Sequence, residues 1–161
     1  MTVTTREVLR AYASCCLLLL FTGCGVEGVA VVRPPENKIA VSSVEVEEGN
    51  STLTFARGFM DREFGEKLRR FLYEDGAFRE GPELKIRYRF FHQGDLESWL
   101  FGGRSGSAIV EAKYLSALNK ELATIQVEAG KTDARGFGKG FIGDLERAAR
   151  EIAEYTKQNF R

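Results

Sequence analysis

The strongest structural signal in the chain is a strict alternation of side chains over residues 84–90. Four apolar residues occupy every second position, with three basic residues between them: Leu84, Ile86, Tyr88 and Phe90, then Lys85, Arg87 and Arg89. Successive side chains of a β-strand point to opposite faces of its sheet, so a period of two predicts a strand. The chain must therefore form a sheet with one buried face and one solvent-exposed face. The three basic residues are called the basic row.

Other segments repeat their apolar residues with the period of a helix or of a strand. Intervals of three and four over 60–72 and 145–155 predict two amphipathic helices. Alternation that changes phase near its centre predicts an irregular strand over 39–46. Two further strands are predicted over 108–116 and 122–127, and the short turn between them makes a hairpin.

The order of these elements, β-α-β-β-β-α, indicates the fold class. It predicts an α/β fold of the α+β two-layer kind, in which a mixed four-stranded sheet carries two helices packed on one face. If the first two strands are parallel neighbours, the connection through the first helix should be right-handed. Asp61 and Asp144 are the expected N-terminal caps of the two helices.

The first 23 residues have the three parts of a secretory leader. A basic start precedes the apolar stretch 11–21, and the small residues Thr22 and Gly23 then lead to Cys24. The apolar stretch is shorter than the ~20 residues that a membrane-spanning helix needs. A cleaved signal is therefore expected rather than a permanent membrane helix.

This arrangement resembles the signal of bacterial lipoproteins, whose lipobox ends at the cysteine that becomes lipidated. The resemblance implies cleavage before Cys24, a diacylglycerol on its thiol and anchoring of the protein to a membrane. Phe21 stands where the lipobox favours leucine, so an ordinary secretory signal or another membrane arrangement stays open as an alternative. Gly25 stands where an aspartate retains some lipoproteins in the inner membrane, which favours the periplasmic face of the outer membrane.

The chain is expected to divide into three parts. Residues 1–23 form the signal peptide, 24–37 a lipidated tether, and 38–161 a single globular domain of ordinary size. Two prolines and two glycines favour a tether before residue 38, although the apolar run 29–32 could instead add an edge strand to the sheet.

Composition argues against several classes of function. All three cysteines precede residue 25, so the folded part has no disulfide and no thiolate metal site. A single histidine, His92, leaves no ordinary metal site, and no cofactor motif is present. The 23 basic and 23 acidic residues balance, whereas a nucleic-acid-binding protein normally carries a basic stripe. No metal, cofactor or nucleic acid is expected.

Catalysis is not expected either. Asp95 and Glu97 are the one candidate pair of acids, and neighbouring acids beside glycines are ordinarily solvated.

Two candidate contact surfaces remain. One is an aromatic and apolar cluster beside a glycine-rich stretch, with one basic residue: Trp99, Leu100, Phe101 and Arg104. This cluster either seals an edge of the core or forms an exposed contact for a partner or a membrane. The basic row is either a solvated strand face or a contact for an anionic lipid or glycan.

Several segments after residue 39 carry a resemblance to a family. These are the run Leu72-Tyr73-Glu74-Asp75-Gly76-Ala77-Phe78, the strand 84–90, the stretch 99–106, the hairpin and the closing run Ala148-Ala149-Arg150-Glu151-Ile152-Ala153. In this layout the chain resembles the bacterial envelope lipoproteins of domain-of-unknown-function family 4410. The resemblance implies a fold and an envelope location, and it transfers no functional residue.

Together these patterns predict a lipid-anchored accessory or assembly protein of the cell envelope that has no catalytic activity. It would bind another envelope protein through the cluster at 99–101 or through an open edge of its sheet. The first alternative is a lipoprotein that holds an anionic lipid or glycan against the basic row. A hydrolytic enzyme is a further, weaker alternative.

Overall fold

The computed structural model describes residues 28–52, 58–93, 106–132 and 139–161. Eight elements follow one another in these ranges: β1 (Val29–Arg33), β2 (Ser43–Glu48), α1 (Phe59–Tyr73), β3 (Arg79–Glu80), β4 (Leu84–Gln93), β5 (Gly106–Ser116), β6 (Glu121–Thr132) and α2 (Lys139–Phe160). The strands form one sheet in the order β1-β6-β5-β4-β2-β3. Neither helix of the described ranges is long and apolar enough to cross a membrane.

The predicted α+β class, with two helices and one mixed sheet, is confirmed. The predicted strand count and element order are wrong, because the sheet has six strands and the order is β-β-α-β-β-β-β-α. β3 is only two residues long, which is too short to show a period of two. The first two strands predicted from the sequence correspond to β2 and β4, and these are parallel neighbours in the sheet.

The other missed strand, β1, lies inside the segment 24–37 that was expected to be a tether. β1 pairs antiparallel with β6, and Val29 lies opposite Val127 and Val31 opposite Ile125. An uninterrupted apolar run gives no periodicity that separates a strand from a linker, and the prolines after it favoured the linker. The edge-strand alternative therefore describes this part of the chain.

The first predicted strand is shorter than its sequence pattern. The N–H of Val41 donates to the carbonyl of Phe160 at 3.0 Å, and the N–H of Ser42 donates to the Glu83 carboxylate at 2.7 Å. These bonds tie the segment before Ser43 to the end of α2 and to the turn before β4. The predicted irregularity is thus the start of β2 and not a bulge within a longer strand.

Both helices pack on one face of the sheet, called here the covered face; the opposite face is the open face. The alternation predicted for the strands is confirmed, since the following side chains of the covered face are buried: Val44, Val46, Leu84, Ile86, Tyr88, Phe90, Val110, Ala112, Tyr114, Ala123, Ile125 and Val127. Phe64 of α1 lies with its ring centroid 4.9 Å from that of Tyr88. Phe160 of α2 stacks on Tyr114 at 4.9 Å.

Both helices begin earlier than their expected caps. Gly58, with φ 92°, precedes α1 without a side-chain capping bond, and Asp61 is the third residue inside the helix. Its carboxylate instead accepts a hydrogen bond from Ser51 Oγ at 3.1 Å, and its carbonyl accepts one from Tyr88 Oη at 2.6 Å. Asp144 likewise lies inside α2, which begins at Lys139. Asp61 therefore joins the helix to the sheet.

The two helices run parallel to each other and define two ends of the molecule. Glu146 near the start of α2 pairs with Arg70 at 3.3 Å, and Lys157 near its end pairs with Asp75 just after α1 at 2.7 Å. Phe64 also packs edge-on against Phe90, late in β4. The helix-start end is the end where both helices begin and where β4 and β6 end. The hairpin end is the opposite end, where the turn 117–120 joins β5 to β6.

Candidate functional site

Most of the predicted site residues lie outside the described residues: Cys24, Trp99, Leu100, Phe101 and Arg104. The strands that flank residues 94–105 are described, and β4 ends at Gln93 opposite Ser107 of β5. That pairing lies at the helix-start end. Among the predicted contact residues, only the basic row can be placed on the structure.

The basic row lies on the open face of β4, and its cations already contact carboxylates. Arg87 Nη2 lies 2.8 Å from an oxygen of Glu47 on β2, and Lys85 Nζ lies 3.6 Å from the other oxygen. The hydrogen bond from Arg87 holds the pKa of Glu47 below its usual range. Because β2 and β4 are parallel and place Glu47 opposite Arg87, this pair also marks the register of the two strands.

Arg89, the third residue of the basic row, pairs with a buried carboxylate. Arg89 Nε donates to Glu111 on β5 at 2.9 Å, and Gln126 Nε2 on β6 donates to the same carboxylate at 3.3 Å. Glu111 is only 7% exposed although it stands on the open face. An added anion would have to displace these carboxylates from the row. The geometry therefore favours a solvated, internally paired face over an anion-binding surface.

The edge of the sheet at β1 is the second candidate site. One side of β1 bonds to β6, and no strand of the described ranges pairs with its other side. Val31 and Val32 are 43% and 57% exposed there, and the pairing with β6 shifts between Val31 and Arg33. An edge strand of this kind offers free backbone groups and apolar side chains to a partner strand.

The start of β1 is held closely against α2. Gly28 has φ 91°, and a Cβ at that position would lie 2.8 Å from the Glu151 carboxylate. Glu151 in turn pairs with Arg147 one helical turn earlier at 3.1 Å. Only glycine fits this approach and this backbone conformation, so the residue just before β1 packs directly against α2.

The opposite edge of the sheet is formed differently. β3 has two residues, both exposed and oppositely charged, and among the described strands it pairs with the start of β2 alone. Arg79 N–H donates to Ser42 O at 3.0 Å, and Gly81 N–H donates to Val44 O at 3.2 Å. Short, charged edge strands resist the addition of another strand. Of the two edges, β1 is the one suited to a partner.

Three large apolar side chains are exposed at the two ends of the molecule. Phe59 opens α1 and Ile142 lies in the first turn of α2, and they are 60% and 52% exposed. Leu118 in the turn at the hairpin end is 91% exposed. No cluster of three or more metal-ligating side chains occurs within the described ranges. The sequence pattern did not single out Phe59 and Ile142 as exposed, because apolar residues at helix starts fit the helical period equally well when buried.

No protein-family model matches the chain, and no curated protein matches it. Three solved structures are similar to it at low identity. A PelC dodecamer from Paraburkholderia phytofirmans is 9% identical, with a TM-score of 0.49 over 83% of this chain and 97% of that one. A candidate lipoprotein from Caulobacter crescentus is 18% identical, with a TM-score of 0.35 over 71% and 85% of the two chains. A homologue of a neuraminyllactose-binding hemagglutinin from Helicobacter pylori is 9% identical, with a TM-score of 0.34 over 80% and 89%. The resemblance to family 4410 stays a prediction.

Proposed function

We propose that this protein is a lipid-anchored accessory or assembly protein of the bacterial cell envelope that acts through protein–protein contacts and catalyses no reaction. The lipid on Cys24 would hold it at the periplasmic face of the outer membrane. The observation that carries the proposal is the edge at β1, where Val31 and Val32 are exposed along a side that no strand of the described ranges pairs with. A partner strand would bind along this edge.

The physical basis of such binding is the continuation of the sheet. Each backbone hydrogen bond contributes only about 0.5–1.5 kcal/mol net, so a strand of four or five residues binds weakly by its backbone alone. Burial of Val31 and Val32 under apolar partner side chains would add about 25 cal/mol for each Å² removed from water. The partner segment is therefore expected to be extended and to carry apolar residues at alternate positions.

A photo-crosslinking amino acid at Val32 tests this contact in native envelopes. We expect irradiation to give one discrete adduct from position 32, because a partner strand would place its side chains within reach. The matched control is the same amino acid at Leu118, which is more exposed and lies at the hairpin end. Val31→Lys should abolish the adduct at position 32 without lowering the stability measured by urea unfolding. Equal crosslinking at both positions, or none at position 32, would overturn the proposed edge.

A separate experiment tests the anchor. The natively expressed chain should begin at Cys24, carry fatty acyl chains by intact mass, and float with membranes in a density gradient. Cys24→Ser should lose the acyl mass and leave the membrane fraction, because two or three acyl chains are what makes such binding nearly permanent. A product that retains Met1, or one without acyl chains, would contradict lipidation.

A further inference from the structure

The position of β1 fixes how far the domain can stand from its proposed lipid. Cys24 precedes Val29 by five residues, and five extended residues span at most about 18 Å. Val29 already belongs to the sheet and lies opposite Val127 of β6. The long tether expected from the sequence is therefore much shorter in the folded protein.

From Val29, the sheet extends toward the helix-start end about as far as an extended chain could carry Cys24. β6 continues for five residues beyond Val127 to Thr132, which is about 17 Å at the rise of a strand. Because β1 and β6 are antiparallel, this continuation points toward the side from which the chain enters β1. If Cys24 is lipidated, the residues between Cys24 and Val29 are too few to hold the helix-start end away from the bilayer.

The side chains at that end suit the boundary between headgroups and acyl chains. Phe59 is exposed, and the guanidinium of Arg62 lies 5.9 Å from the centroid of its ring. Ile142 is exposed in the first turn of the neighbouring parallel helix. An aromatic ring with a long basic side chain can bury its apolar part while the charge stays at the phosphates.

The hairpin end has a different character. Lys157 and Asp75 form an ion pair of 2.7 Å there, and the carboxylate of Glu83 binds Ser42. Leu118 in the turn 117–120 is exposed there, and Val32 on the edge at β1, near Thr124, is also more than half exposed. The exposed apolar side chains of the two helices, Phe59 and Ile142, thus lie at the helix-start end, which is the end that the short tether holds near the membrane.

We propose that the helix-start end of the domain rests on the bilayer and that Phe59 and Ile142 insert among the lipid headgroups. This inference depends on the lipidation of Cys24 in the proposed function. Its occupant is a lipid surface and not a second protein, because the chain enters β1 from this end and at most about 18 Å of chain separates Val29 from a lipid on Cys24.

The test uses the natively lipidated protein in vesicles of phosphatidylethanolamine and phosphatidylglycerol. Cleavage removes Cys15 and Cys16 and the lipid blocks Cys24, so a new cysteine is the one free thiol. Ile142→Cys and Phe59→Cys, labelled with an environment-sensitive fluorophore, should shift to shorter wavelength and lose emission when the vesicles contain a lipid-borne quencher. The matched control, Leu118→Cys, should keep its emission, because it lies at the opposite end.

Flotation of the same samples separates the two proposals. If the protein floats but labels at positions 142 and 59 are quenched no more than the label at 118, the inference is overturned while the anchor stands. If those labels are shielded from aqueous iodide yet insensitive to the lipid-borne quencher, a protein covers this end and the inference is wrong. If the protein does not float, lipidation fails and the inference fails with it.

Discussion

The covered and open faces of the sheet are built from the same strands but are stabilised by different interactions. On the covered face, buried apolar side chains surround two tyrosines whose hydroxyls are hydrogen-bonded: Tyr88 donates to Asp61 O and Tyr114 lies 3.0 Å from Thr156 Oγ1. On the open face, Arg87 and Arg89 pair with carboxylates on the neighbouring strands.

This difference assigns separate roles to the two sets of alternating residues. Burial of apolar surface is the dominant favourable term in folding, so the covered face should provide most of the stability. Exposed ion pairs contribute about 0–1 kcal/mol each, so the open face should chiefly favour the correct register and keep the sheet soluble. Substitutions on the two faces should therefore differ severalfold in their cost.

The largest expected effect is on the covered face. Phe64→Ala removes a fully buried ring that packs on Tyr88 and Phe90, and it should lower the free energy of unfolding by about 3–5 kcal/mol. Arg87→Ala on the open face should cost about 0.5 kcal/mol or less. Urea unfolding followed by circular dichroism measures both. Equal losses for the two variants would contradict the division of roles.

A smaller effect is expected at Gly65, which faces Tyr88 from within α1. Alanine normally stabilises a helix interior by about 1 kcal/mol relative to glycine. A Cβ at Gly65 would lie 2.8 Å from Tyr88 Oη, however, so Gly65→Ala should cost about 1–3 kcal/mol through overpacking. In a Tyr88→Phe background the obstructing oxygen is absent, and the same substitution should become neutral or stabilising. An unchanged cost in that background would show that another contact excludes the methyl group.

The buried tyrosines predict a loss of stability in alkali. Burial raises the pKa of Tyr88 and of Tyr114 above the ordinary value. The unfolded chain releases these protons above about pH 10 while the folded chain retains them, so stability falls as pH rises from that value. Each tyrosine should cost about 1.4 kcal/mol for each pH unit in this range. In Tyr114→Phe, the free energy of unfolding should fall less steeply with pH. If every tyrosine ionises reversibly while the protein stays folded, the prediction is wrong.

Alternation and helical period predicted most of the elements because they report which side chains face the core. Leu84, Ile86 and the alanines of α2 follow these periods, because they are buried where the helices pack on the covered face. The period does not mark where an element starts. β1 depends on long-range pairing with β6, so its apolar run left both a tether and an edge strand open, and β3 depends on two backbone bonds to the segment around β2 and leaves no local pattern.

The candidate site was harder to predict for a related reason. The sequence shows Lys85, Arg87 and Arg89 as a row of positive charge, but their partners Glu47 and Glu111 come from other strands. Only the register of the folded sheet brings these charges together. The edge at β1 follows from strand order, which the local sequence does not contain.

The smallest expected effect belongs to the ion pair of Glu47 with Arg87. The hydrogen bond from Arg87 lowers the pKa of Glu47, so the pair stabilises the folded chain above the unfolded value of about pH 4.3 and is lost as pH falls through the lower folded value. Glu47→Gln should cost about 0.5 kcal/mol at pH 7, less in high salt, and nothing once the carboxylate of the parent protein is protonated. Glu66→Gln, at an exposed position on α1, is the matched control. A cost for Glu47→Gln that persists unchanged in strong acid would mean that packing on the open face, and not charge, stabilises this pair of strands.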